Sequence, residues 1–140
     1  MNNMAVIKED KNQIEELMQT IGNAIILVLP PDWNHVVIGY FIEKPINVSH
    51  TQILYRALHS DDYIDVVKAS WDSEKYDDAI IEISDSCKEL HSICANSGDD
   101  WSTMSFVLMR DGTFNIDYSY EPINKYNSLF ILNWKSKYLD

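Results

Sequence analysis

Asp78, Glu82, Asp85 and Glu89 advance by fours and threes, so on a helix they fall in one row of carboxylates. Carboxylates placed this way could exchange protons with a substrate, hold a divalent cation, or attract a positively charged partner. Nothing in the spacing pairs two of them as acid and base. Upstream, Asp61-Asp62-x-x-Asp65 has carboxylates for a cation but lacks the glycine and terminal Glu of a calcium loop. The four histidines are scattered, and none pairs with a cysteine at a zinc-site spacing. Attraction of a partner is the chemistry these residues suit best.

The charge balance agrees. Twenty-two acidic residues face 11 basic ones, for a net charge of −11. The acids crowd into the stretch from Asp61 to Asp100, where only Lys68, Lys75 and Lys88 compensate. A surface of that sign repels phosphate backbones, which disfavours direct nucleic-acid binding. It attracts a basic protein and speeds encounter with it. A nuclease is such a protein, because its cleft must hold phosphates. The bland alternative is a solvated helix face.

Signatures of catalysis are missing. The chain has only four glycines, with no glycine-rich loop opening a helix and no Gly-x-Ser-x-Gly elbow. This points away from an enzyme and from a bound cofactor. Cys87 and Cys94 are seven residues apart on a helix, a separation on the order of 10 Å, too far for a disulfide. Both fall on the apolar stripe and read as buried thiols. No apolar run approaches the roughly 20 residues that span a bilayer, and the N-terminus lacks a basic segment before an apolar one. The expectation is a cytoplasmic protein with no membrane contact.

The elements that must position these residues can be read coarsely. Asp10 with Gln13 offers a capping box, followed by Ile14, Leu17, Met18, Ile21, Ile25 and Val28 at helical spacing. Pro30-Pro31 ends that helix. The β-branched and aromatic run His35–Ile42 reads as a strand, with further strands around Ile46–Val48 continuing into Gln52–Leu58, and Tyr63–Val67. Asp72 or Ser73 opens a second helix ending before Asn96-Ser-Gly98. Its apolar face is Tyr76, Ile80, Ile83, Cys87, Leu90 and Cys94, with the carboxylate row about 200° away. The chain reads as one α+β domain over residues 1–140, an antiparallel meander packed against the N-terminal and acidic helices and ending in an aromatic hairpin and a C-terminal segment.

Asp111-Gly112 is a strong hairpin signal. A two-residue turn there sets Met109 opposite Phe114, Val107 opposite Ile116 and Ser105 opposite Tyr118. One face then holds Trp101, Val107, Met109, Phe114, Ile116, Tyr118 and Tyr120 and should be buried, which favours core packing over a ligand groove for the two tyrosines. The other face would expose Asn115, Asp117 and Ser119.

Trp101-Ser102, Phe106, Asp111-Gly112, Phe114, Asp117-Tyr118 and Tyr120 stand in a fixed order, closed by Trp134-Lys-Ser-Lys-Tyr138-Leu139. With Pro30-Pro31-Asp32-Trp33 just after the first helix, this pattern resembles the YezG-like antitoxin family. The match is specific in the first and last thirds; the middle agrees in element order, and Asp140 departs from the pattern. The resemblance implies a small bacterial immunity protein that binds and neutralises a nuclease toxin of a polymorphic-toxin system, without catalysis. It also implies that Trp33, Trp101, Phe106, Gly112, Phe114, Tyr118 and Trp134 are framework. Asp61, Asp62, Asp65, Asp78, Glu82, Asp85, Glu89 and Asp117 are then the candidates for toxin contact. A competing class is an acidic nucleic-acid mimic that binds a host DNA-binding protein; the gene next door would separate the two.

Overall fold

Two long amphipathic segments and a series of β-branched, aromatic runs give this chain an α+β fold, as the sequence predicts. The computed structural model describes residues 3–44, 48–66, 73–123 and 129–139. Its helices are α1 (Asn3–Ile26), α2 (Ser73–Asn96) and α3 (Leu129–Tyr138). Its strands are β1 (Trp33–Glu43), β2 (Val48–Ala57), β3 (Tyr63–Asp65), β4 (Thr103–Met109) and β5 (Phe114–Ser119). The strands form one antiparallel sheet in the order β3-β2-β1-β4-β5. The chain divides into two compact units, a helical one holding α1 and α2 and a sheet-based one holding the strands and α3.

In the helical unit, α1 begins well upstream of the expected cap. No glycine or proline interrupts Asn3–Thr20, so the helix runs through Asp10 instead of starting there. Asp10 Oδ2 instead accepts a hydrogen bond from Ser97 Oγ, just past the end of α2, at 2.6 Å. Ile21, Ala24 and Ile25 are buried along the inner stripe. Val28 N and Leu29 N both donate to Ile25 O in the last turn, ahead of Pro30. Helix α2 packs on α1. Its expected face is present: Tyr76, Ile83, Cys87, Leu90 and Cys94 are buried and Ile80 is half-buried. The helix closes on Gly98 (φ +90°), where Asp99 N donates to Cys94 O and Gly98 N to Ala95 O. This left-handed cap satisfies the last carbonyls without steric cost only at glycine. Burial pushes the Cys87 thiol up to about 12, so it stays protonated.

The sheet is built around β1, which pairs with β2 on one side and β4 on the other. The expected strand starting near Ile46 begins at Val48, and Ile46 lies outside the described residues, as does Val67. Both faces of β1 are buried: Val36, Ile38, Tyr40 and Ile42 on one, Val37, Phe41 and Glu43 on the other. Strand β4 lies between β1 and β5, a central place that suits its apolar side chains.

The hairpin is where the sequence reading fails. The loop has three residues, Arg110-Asp111-Gly112, not two. Met109 N donates to Thr113 O and Gly112 N to Met109 O, both at 2.9 Å, and Gly112 sits at φ +88°. This is a type I turn closed by a glycine bulge, the next commonest solution after the two-residue turn. The extra residue shifts the register by one, which exchanges the faces. Phe114 therefore pairs with Leu108, Ile116 with Phe106, Asp117 with Ser105 and Tyr118 with Met104. Met104, Phe106 and Leu108 are buried, whereas Met109, Phe114 and Tyr120 are 38, 52 and 61% exposed. The face expected to be core is mostly not core.

The C-terminal segment is helix α3. It lays Trp134 across Gly39, where an added Cβ would come within 2.6 Å of Trp134 Cζ2. Glycine is required there by close approach, not by φ. Trp134 meets Phe41 edge to face at 5.3 Å and joins Val37, Leu54 and Ile123 in a core cluster.

Candidate functional site

Asp78, Glu82, Asp85 and Glu89 are all exposed on the outer side of α2. Asp77 is exposed beside them, and so is Ile81, at 58%. The structure thus brings the four predicted carboxylates together on one face. The helix positions them because its opposite stripe, from Tyr76 to Cys94, is buried.

The remaining candidates are not part of that row. Asp61 and Asp62 are exposed in the sheet-based unit, in the turn between β2 and β3, where Asp62 N donates to Ser60 Oγ at 3.2 Å. Asp65 is half-buried and pairs with Leu54 across β3 and β2. Asp117 departs from expectation. The shifted register moves it off the open face predicted for Asn115, Asp117 and Ser119. It is half-buried, and its Oδ2 accepts a hydrogen bond from Tyr138 Oη at 2.9 Å. Ser119 is half-buried as well, and only Asn115 is exposed.

Asp117 instead lines a cleft of about 480 Å³ within the sheet-based unit. Its floor is the face of the sheet that carries Phe41, Thr103, Ser105, Asp117 and Ser119, and its wall is the side of α3 that carries Asn133, Trp134, Lys137 and Tyr138. Glu121 and Pro122 complete the rim. Trp134 Nε1 donates to Ser105 Oγ at 2.8 Å, which anchors the helix to the floor. Tyr118 borders the cleft, but the β4–β5 register turns its side chain toward the opposite face.

The framework residues divide. Trp33, Trp101, Phe106 and Trp134 are buried; Tyr118 is half-buried and Phe114 mainly exposed. Trp101 meets the His91 ring edge to face at 4.7 Å, and His91 Nε2 lies 2.9 Å from Asp100 Oδ1. Sequence reasoning missed Arg110. Its guanidinium sits over the Trp33 ring at 5.4 Å and donates from Nη1 to Pro31 O and Trp33 O, at 2.7 and 3.0 Å. This clasp ties the hairpin loop to the Pro30-Pro31-Asp32-Trp33 entry of β1. Its place beside Asp-Gly, as one of only two arginines in an acid-rich chain, was the signal available.

The model of the immunity protein YezG-like family matches residues 14–140. The chain belongs to the YezG-like immunity protein family. It is 29% identical over 122 residues to immunity protein YezG of Bacillus spizizenii, an alignment covering 81% of this chain and 73% of that protein. An immunity role follows from this membership. The aromatic hairpin, the clasped Pro-Pro-Asp-Trp entry and the Trp134-centred α3 all lie inside the matched region of this YezG-like chain. Among the described residues, no helix is long and apolar enough to cross a membrane.

Proposed function

We propose that this YezG-like protein binds a cognate toxin one to one and silences it by occupancy, with no turnover and no cofactor. The toxin is read as a nuclease domain of a polymorphic-toxin system, acting in the same cytoplasm. The observation that carries this is the exposed carboxylate row of α2, Asp78, Glu82, Asp85 and Glu89, on a chain of net charge −11. A nuclease must keep a positive cleft for phosphates, so the two fields are complementary. Asp61 and Asp62 add to the acidic surface. The family match spans both compact units, which supports treating the chain as a single immunity-protein-like domain.

Stopped-flow association with the product of the adjacent toxin gene tests the reading. Glu82→Lys with Asp85→Lys should slow association and flatten its salt dependence, because exposed charges act mainly on the encounter rate. The fold should survive, since both side chains face water. Unchanged rates in the double variant would mean that α2 is only a solvated face. Capture of a host DNA-binding protein in place of the toxin would favour nucleic-acid mimicry.

A further inference from the structure

The cleft between the sheet and α3 has features that the acidic helix does not. At about 480 Å³ it falls in the range of roughly 300–1,000 Å³ typical of binding sites. Among the described residues, its lining carries two carboxylates, Asp117 and Glu121, against one ammonium, Lys137. The rest of the lining mixes the rings of Phe41, Trp134 and Tyr138 with small polar side chains such as Ser105 and Asn133. Two of those groups are held before any ligand arrives, Trp134 by Ser105 and Asp117 by Tyr138. Lys137 Nζ lies 5.3 Å from the centroid of the neighbouring Tyr138 ring, so a cation can be accommodated over that face.

We propose that this cleft seats an arginine side chain presented by the protein partner. A guanidinium is planar, permanently charged and weakly hydrated, so it can stack on the half-buried Tyr138 ring while pairing with a carboxylate at the rim. An anionic ligand would meet Asp117 and Glu121, and a neutral apolar one would bury their charge without compensation. Pre-set Trp134 and Asp117 reduce the ordering cost of binding, which suits an anchor site. The assignment rests on the reading that the partner is a basic protein, and it adds a specific foothold to long-range attraction. The Lys137 ammonium competes for the same wall and tunes affinity downward.

The test uses the full chain and a small probe, N-acetyl-arginine amide, with N-acetyl-citrulline amide as its uncharged counterpart. The indole N–H resonance of Trp134 is the reporter, because that group lies on the cleft wall. The arginine probe should shift this resonance saturably, and the citrulline probe should bind at least about fivefold more weakly. Glu121→Gln should weaken the arginine probe by about threefold or more, and Lys137→Gln should strengthen it by a similar factor. Both side chains are exposed, so neither change removes core packing, and a merely structural cleft would respond to neither. Equal binding of the two probes, shifts confined to α2, or variants that move affinity together would overturn the proposal. Since the probe is not the toxin, that failure would leave the α2 reading standing. The stopped-flow result on α2 likewise leaves the cleft untouched.

Discussion

Phe106 and Phe114 stack at 5.4 Å with an interplanar angle of 15°, yet their surroundings differ sharply. Phe106 is 1% exposed and Phe114 is 52% exposed. Phe106→Ala should therefore cost about 3–5 kcal/mol, the range for a buried phenylalanine. Phe114→Ala loses mainly the ring stack and should cost about 0.5–1.5 kcal/mol. Chemical denaturation of both variants checks this; equal losses would restore the two-residue turn and its buried Phe114. A second single-residue effect concerns His35, whose Nδ1 lies 2.9 Å from Tyr63 Oη. Burial first, and then the nearby Arg56 charge, hold its imidazole below the ordinary histidine value. The unfolded chain therefore takes up the proton more readily than the folded one. The stability from the neutral ring is complete above about pH 6.5 and is lost as the pH falls below it. Wild type should lose stability relative to His35→Gln as the pH falls from about 6.5. Parallel curves for the two proteins would show that His35 titrates normally.

The elements show where sequence legibility ends. Helix α2 was fully readable because its apolar stripe, its carboxylate row and Gly98 are local patterns with one compatible backbone. The position of the hairpin was readable too, but its register was not. Asp111-Gly112 suits both a two-residue turn and a three-residue loop, since each needs a left-handed glycine. Asp111 is held by Thr113, whose N and Oγ1 donate to its Oδ1 at 2.9 and 2.6 Å, and this loop geometry leaves no periodic trace. Helix α3 was hidden because Leu129-Phe-Ile-Leu132 is a continuous apolar run with no helical period. The cleft was hidden for a further reason. It needs Gly39, Ser105 and Asp117 from three strands in one row, and that row depends on the pairing. Gly39→Ala tests how α3 is seated. The new methyl group would meet Trp134 and the Phe41 ring, where relief requires moving packed aromatics. A loss of about 1–3 kcal/mol is expected, with a change in tryptophan fluorescence. An unaltered denaturation midpoint and spectrum would mean that Trp134 does not rest on Gly39.

At the scale of the whole molecule, one quantity should act in opposite directions on folding and on binding. A net charge of −11 on 140 residues repels itself in the compact state. The same charge draws in a basic partner and speeds its arrival. Salt screens both, because the screening length falls from about 30 Å at 0.01 M to about 3 Å at 1 M. The isolated protein should therefore gain stability as sodium chloride rises across that range. Its association with the toxin should slow over the same range, while dissociation changes little. Sodium chloride suits the comparison better than sulfate, which strengthens apolar burial by exclusion and would raise stability for an unrelated reason. Thermal denaturation and stopped-flow mixing at matched salt concentrations give both slopes. If stability rises but the association rate stays level, the carboxylates govern only self-repulsion and recognition rests on close contacts. If both fall together, local ion pairs outweigh the overall repulsion, and net charge is the wrong description of how this molecule uses its acids.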